Sequence, residues 1–403
     1  MVSAAIAALA VALGSAPAGA AEAVLGGRCG APGEITTVRV ARRDQRLVCA
    51  GARGASRWRR ATDADGGGAS LLRGAAAAYV PMARAVKAQN ARCMTVLERG
   101  KVVGEWRFFG HAPSSREEVA SVTKSFAGAL VGIAQTKGLL QIDQPASTWI
   151  TEWVGTASEG VTVRHLLAMT SGRTDFNVWT APNDLRGAVL GTSQNVRTPG
   201  ARWSYHNSSS QALELVLSRA TGESVVTFAQ RELFDPLGLS ASFTLDPFGV
   251  PGLYAGIQAT CMDVARLVQL YLDGGAWKGR RIIDAGYVAD SLAPQVTGSG
   301  PNTQMNGAYG LQWWLNTDAT QTLSGGRAEW IAGRQWPALP SDVFWVSGAC
   351  HQLGAAVPSR GMVVVVLRPG CRTVQDAALA GTLQAPTTAF FTELGAAVAR
   401  QGR

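Results

Sequence analysis

The chain is short of lysine, histidine and formal charge. Only five of its 37 basic residues are lysines (Lys87, Lys101, Lys124, Lys137 and Lys278), and its four histidines (His111, His165, His206 and His351) are scattered. No H-x-x-x-H pair and no paired C-x-x-C spacing occurs, so the residues do not imply a metal. No glycine-rich loop opens a helix after a strand, so no nucleotide cofactor is implied. Beyond the N-terminus, no run reaches the roughly 18 apolar residues that a membrane helix needs. Charged residues make up 16% and hydrophobic ones 47% of the 403, too apolar for a disordered chain. No stacking or groove-reading motif accompanies the net charge of +9, so no nucleic-acid partner is expected.

What is present begins with an apolar run over residues 4–13, followed by Ala18-Gly19-Ala20. This reads as a signal peptide over residues 1–20, although no basic residue precedes the apolar run. The expected location is therefore secreted or periplasmic. Six cysteines suit an oxidising compartment. Cys29 and Cys49 bracket the alternating runs Ile35–Val40 and Leu47–Cys49, which predicts a small disulfide-closed β-hairpin module over residues 21–60. Eight arginines between Arg39 and Arg60 make that module a candidate for contact with an anionic surface or cell wall. The stretch ATDADGGGAS reads as a linker, set at residues 61–75. Cys261 is expected to be a buried free thiol at a helix start, the common fate of an isolated cysteine in apolar surroundings. Cys350 and Cys371 flank a hairpin and are a candidate pair.

The main domain is set at residues 76–403. Met94–Leu97 and Val102–Phe109 alternate around Glu98-Arg99-Gly100-Lys101, which predicts an antiparallel hairpin. Ser121–Lys137 is apolar on every side and predicts a buried helix stopped by Gly138. Helices are expected over Val163–Thr170, Ser209–Thr221, Val225–Phe234 and Thr260–Leu272, the last opened by a cap at Thr260 with Asp263. Val343–Val346 and Met362–Leu367 read as strands around the turn Pro358–Gly361, and Leu379–Arg400 as a closing amphipathic helix. Strands at both ends with helices between imply an α/β (α+β) fold: a sheet flanked by helices, with an all-α lobe inserted at about 140–300.

Lys124 decides the chemistry. It follows Ser121 by three residues, so both side chains share one helix face. Burial lowers a lysine pKa, and a neutral amine beside a hydroxyl is a general base. Arginine cannot serve that way, which singles out a lysine in a chain built on arginine. An N-cap serine and a lysine reaching solvent have the same spelling, so further elements are needed. Tyr205-His206-Asn207 is the sole Y-x-N, in a polar turn before a helix. Its phenol can pass a proton to a leaving group, and its amide can hold Lys124 or a substrate carbonyl. Val346-Ser347-Gly348 ends a strand, where Gly348 permits close approach and the Ala349 N–H can pair with that of Ser121 as an oxyanion hole.

In this order, Ser121-Val122-Thr123-Lys124, Tyr205-His206-Asn207 and Val346-Ser347-Gly348 resemble the penicillin-binding-protein and class C β-lactamase superfamily. Val163–Gly172, Pro236-Leu237-Gly238 and Tyr309–Trp314 resemble it too. Ser121–Phe126, Leu272–Gly275 and Gly348–Gln352 are similar to its 6-aminohexanoate-dimer hydrolase branch. The resemblance covers roughly residues 80–400 and implies a β-lactamase/transpeptidase-like domain acting on a small-molecule or short peptide-like substrate. It implies Ser121 as nucleophile, Lys124 and Tyr205 as base and proton shuttle, and the Ser121 and Ala349 N–H groups as oxyanion hole. Asn207, Ser347, Gly348, His351 and Trp179 are the expected substrate contacts. The pattern departs at Val346, where penicillin-recognising members carry a lysine for the substrate carboxylate, and at His351, where relatives tend to have glycine. Three functions stay open: an amide- or ester-cleaving serine hydrolase, a D,D-carboxypeptidase or β-lactamase, and an inactive binding or sensor protein.

Overall fold

The computed structural model describes residues 35–40, 43–50, 57–60, 75–176, 183–191, 197–296, 308–318, 322–324, 327–329, 333–371 and 385–401. The expected signal peptide, the residues 61–74 of the linker, Cys29 with its proposed bridge, and Trp179 lie outside them. The chain divides into two compact units, Met1–Asp65 and Gly66–Arg403.

In the first unit three antiparallel strands follow one another: Ile35–Val40, Arg43–Ala50 and Arg57–Arg60. The polar Arg43-Asp44-Gln45, which lies between the two alternating runs, joins the ladder, with Val40 opposite Arg43 and Arg39 opposite Asp44. A two-residue connection accounts for this, since it leaves every residue from 43 onward in register to pair. The third strand, Arg-Trp-Arg-Arg, carries no apolar alternation and so was not anticipated.

The second unit is built on a six-stranded, wholly antiparallel sheet. Its order is Trp314–Leu315, Phe344–Gly348, Gln352–Val357, Met362–Leu367, Cys93–Glu98 and Lys101–Arg107. Met362–Leu367 reads Met-Val-Val-Val-Val-Leu and lies inside the sheet with all six residues buried. A strand covered on both faces needs such a continuous apolar run. Val363, Val365 and Leu367 enter one apolar core with Phe126, Leu130, Val264 and Leu267. Met362, Val364 and Val366 enter a second core with Tyr79, Met82, Phe390 and Leu394. Helices therefore cover both faces, and each fully buried aliphatic side chain contributes about 1.5–3 kcal/mol. The strand Gln352–Val357 escaped sequence reading because its small, mixed residues lack the β-branched signature.

The helical lobe holds Val163–Leu167, Leu185–Gly191, Asn207–Thr221 and Val225–Ala229. Two expected helices are shorter than their apolar patterns. One stops at Leu167, and Met169 turns the chain with φ +60°. The other gives way after Ala229 to a wide π turn, Gln230–Phe234, and a last turn closed by Gly238. The C-terminal helix is Ala385–Gln401, with Pro386 in its first turn, where its missing N–H costs nothing. No helix among the described residues is long and apolar enough to cross a membrane.

Cys261 is not a free thiol. It is bonded to Cys93, with 6.2 Å between the Cα atoms and a sequence separation of 168. Cys93 opens a sheet strand, and Cys261 opens the helix Cys261–Leu272 packed across that sheet. Only the packing brings them together. A Cys93→Ser/Cys261→Ser double variant is expected to lose about 2–4 kcal/mol of stability in urea melts. Cys350 and Cys371 form the second bridge among the described residues, with Cα atoms 5.6 Å apart.

Candidate active site

Ser121 stands where a short strand turns into the buried helix. Glu117–Glu118 pairs with Ile257–Ala259, and the Val119 N–H donates to the Ile257 carbonyl at 3.0 Å. The chain then reverses at Ala120, held at φ +47°, and coils tightly through Val122 into the helix Thr123–Thr136. An alanine in the left-handed region is costly and persists only where its surroundings fix it. The turn leaves Ser121 half-buried at the helix N-terminus, where the free N–H groups and the dipole favour negative charge. Gly348, at the end of its strand, comes against this turn. A Cβ there would lie 2.2 Å from the Val119 carbonyl oxygen and 3.2 Å from the Ser121 nitrogen. Only glycine fits, and the next residue is the exposed Ala349.

Lys124 is 1% exposed. Its Nζ lies 2.8 Å from the Tyr254 carbonyl oxygen, 2.9 Å from Asn207 Oδ1 and 2.9 Å from Ser121 Oγ. The first two neighbours can only accept. A neutral amine has two N–H donors and one lone pair, so its donors meet the two carbonyls and its lone pair is left for the Ser121 hydroxyl. Burial lowers its pKa from 10.5 to about 7, against a smaller upward pull from Asp175.

Tyr205 completes the cluster. Burial raises the pKa of its hydroxyl well above the ordinary phenol value, with the Ser121 side chain pulling the other way. The Lys124 Nζ lies 4.8 Å from its ring centre. The ring stacks on Trp314 at 5.9 Å and stands edge-on to Tyr309 at 6.3 Å. An apolar wall thus locks a phenol that stays protonated at neutral pH.

Sequence reading missed two members of this arrangement. Asp175 accepts the backbone N–H groups of Phe176 (3.0 Å), Asn207 (3.1 Å) and Ser208 (2.7 Å), and the Asn207 Nδ2 at 3.3 Å. It caps the helix Asn207–Thr221 and turns the Asn207 amide so that Oδ1 faces Lys124. Nothing in a lone Asp 32 residues upstream announces this. The Tyr254 carbonyl is a main-chain atom and leaves no residue-type signal at all.

Gly348 is flanked by the strand that carries Val346 and Ser347 and by the turn that carries His351. Val346 is buried in the core, and Ser347 is half-buried on the same strand. His351 ends the turn Ala349–His351, with its Nδ1 2.9 Å from Thr387 Oγ1 on the C-terminal helix. Burial and the nearby Arg368 push its pKa down to about 4, so it is neutral at physiological pH.

Comparison with known proteins agrees with this architecture. A family model described as Beta-lactamase matches residues 82–387. The 6-aminohexanoate-dimer hydrolase of Paenarthrobacter ureafaciens is 26% identical over 272 residues, covering 59% of this chain and 69% of that protein. Penicillin-binding protein 4* of Bacillus subtilis (strain 168) is 27% identical over 134 residues, 30% of this chain and 29% of its own length. Among solved structures, a penicillin-binding protein homologue from Caulobacter crescentus superposes with a TM-score of 0.58. It shares 17% identity and covers 77% of this chain and 97% of its own, a likeness of fold.

Proposed function

Because the chain belongs to the beta-lactamase family, whose members include serine hydrolases, we propose that it cleaves an amide or ester bond through an acyl-enzyme on Ser121. Lys124 takes the Ser121 proton as Oγ attacks the substrate carbonyl. The N–H groups of Ser121 and Ala349 hold the oxyanion of the tetrahedral intermediate. Tyr205, whose ring lies 4.8 Å from Lys124 Nζ, relays a proton to the departing amine or alkoxide, and the acyl group stays on Oγ. Water then attacks the ester by the same route, returning the proton to Ser121.

One observation carries this reading. Lys124 Nζ is buried within 2.9 Å of the Ser121 hydroxyl and two carbonyl oxygens, and burial disfavours its charged form, which puts an amine able to lose its charge within proton-transfer reach of Ser121. Intact mass spectrometry after treatment with a fluorophosphonate should show one adduct, on the peptide containing Ser121. No adduct, or one on another residue, overturns the reading.

The similarity to a 6-aminohexanoate-dimer hydrolase favours a linear amide or ester as substrate. So does the burial of Val346, which leaves its strand without a cation for the carboxylate of a β-lactam or D,D-peptide. A panel of short esters, ω-amino-acid oligomers, D-amino peptides and nitrocefin separates these classes, and stable labelling by fluorescent penicillin would reverse the preference. Two disulfides support an exported protein, and we assign the arginine-rich N-terminal strands a role in contact with an anionic surface.

Asp175 gives a sharper check. Its charge raises the Lys124 pKa, so removing it lowers that pKa further. Asp175→Asn should therefore move the acid limb of the pH–rate profile to lower pH, with a lower kcat from the loosened Asn207. A limb that stays in place would show that the two groups are not coupled.

A further inference from the structure

We infer that the Cys350–Cys371 disulfide is a positioning device for the oxyanion hole, and that activity falls when a dithiol reduces it. The inference rests on the acyl-enzyme reading above.

The turn that follows Gly348 is strained. Cys350 has φ +56° and ψ 29°, and His351 has φ +60°, so two successive residues with side chains occupy the region that suits glycine. The first of them directly follows Ala349, whose N–H is the second oxyanion donor. Such a backbone holds only where its surroundings over-determine it. Three ties do so among the described residues. The His351 carbonyl accepts from Arg368 Nη1 at 2.6 Å, and the His351 ring is bonded to Thr387. The third tie is the bridge from Cys350 to Cys371.

The far end of that bridge is anchored beside the nucleophile. Gln352 clamps residue 368 from both sides, accepting from its N–H at 2.9 Å and donating to its carbonyl at 3.0 Å. Gly370 donates to Glu117 Oε2 at 3.3 Å, and a Cβ on it would lie 2.9 Å from Glu118 Cβ. Residues 368–371 therefore lie against the strand that leads into Ser121. The bridge ties the oxyanion turn to the same segment that positions the nucleophile, and it is the one covalent tie among the three.

Reduction takes two electrons and two protons from the dithiol. The S–S bond breaks, Cys350 and Cys371 become thiols, and the dithiol closes to its own disulfide. Cys350 is then free to leave the left-handed region and carry the Ala349 N–H out of line. Losing a preorganised oxyanion donor costs about 10²–10³ in kcat, and a donor that is loosened should cost about tenfold or more.

The test compares kcat, KM and the rate of fluorophosphonate labelling across variants of the full chain. Cys350→Ser/Cys371→Ser should lose about tenfold or more in kcat with little change in KM. Cys350→Gly/Cys371→Ser should recover most of that loss, because glycine adopts φ +56° without a Cβ penalty. In a Cys93→Ser/Cys261→Ser background, dithiol treatment should reproduce the loss and reoxidation should reverse it. Unchanged kcat in the double serine variant overturns the inference, and so does a glycine variant no faster than the serine one. If the serine variant does not fold, the glycine variant and the dithiol titration still decide. Wild type that labels at Ser121 while all variants label equally fast removes only the role of the bridge. Wild type that fails to label removes the acyl-enzyme reading as well.

Discussion

Ser121→Ala is expected to abolish covalent labelling and to lower kcat/KM about 10⁴- to 10⁶-fold, the scale seen when a nucleophile is deleted from a concerted group. Its Oγ lies 2.9 Å from Lys124 Nζ, which in turn lies 4.8 Å from the Tyr205 ring centre. Without it, the amine has no proton to take and the carbonyl no attacking atom. The fold should survive, because Ser121 is half-buried and its position is set by main-chain bonds that alanine keeps. Initial rates on a nitrophenyl ester, with thermal melts to confirm folding, make the comparison. Labelling that persists at the wild-type rate in this variant would exclude Ser121 as the nucleophile. The effects of Ser121→Ala and Lys124→Met should not add, since each removes half of one proton transfer.

The second large effect concerns Lys124. Its amine must be uncharged to accept the Ser121 proton, and burial sets its pKa at about 7. The sign follows directly. Below that pH the group is an ammonium ion, its lone pair is lost, and kcat/KM should fall tenfold per pH unit. Above it, the profile should level. Lys124→Met keeps the length and loses the nitrogen, so kcat/KM should drop about 10²- to 10⁴-fold, the usual contribution of a general base. The acid limb should vanish with it. Lys124→Arg should fare no better, because a guanidinium does not deprotonate at these pH values and its planar fork is too large for the site. An acid limb unchanged in Lys124→Met would place the titrating base elsewhere. Ionisation of Tyr205 is displaced upward by burial, so it does not produce the acid limb.

Some of this could be read from the chain alone, for reasons that are local. The hairpin strands Cys93–Glu98 and Lys101–Arg107 and the strand Met362–Leu367 follow from alternation and from an unbroken apolar run. The helix Thr123–Thr136 follows from an apolar surface on every side, and its end from Gly138. The cap at Thr260 with Asp263 forms as spelled. The pairing of Ser121 with Lys124 is also local, since three residues along a helical turn bring side chains together whatever surrounds them. The ends of the helices at Leu167 and Ala229 were less legible, because their apolar pattern continues past the point where packing changes the backbone.

What the chain determined by itself is its chemistry-bearing residues and the short-range geometry between them, because hydrogen-bond periodicity and side-chain spacing act within a few residues. The tertiary structure alone decided the rest. It joined Cys93 to Cys261 across 168 residues, and it brought Asp175 to the N-terminus of the Asn207–Thr221 helix. It set the Tyr254 carbonyl against Lys124 and drew Gly348 onto the Ser121 turn. It also gave His351 a conformation suited to glycine. In each case the partners are far apart in the chain and meet only through the buried sheet and its covering helices. Whether Lys124 is an ammonium ion or a base depends on how much water that packing leaves beside it, and no local pattern encodes that.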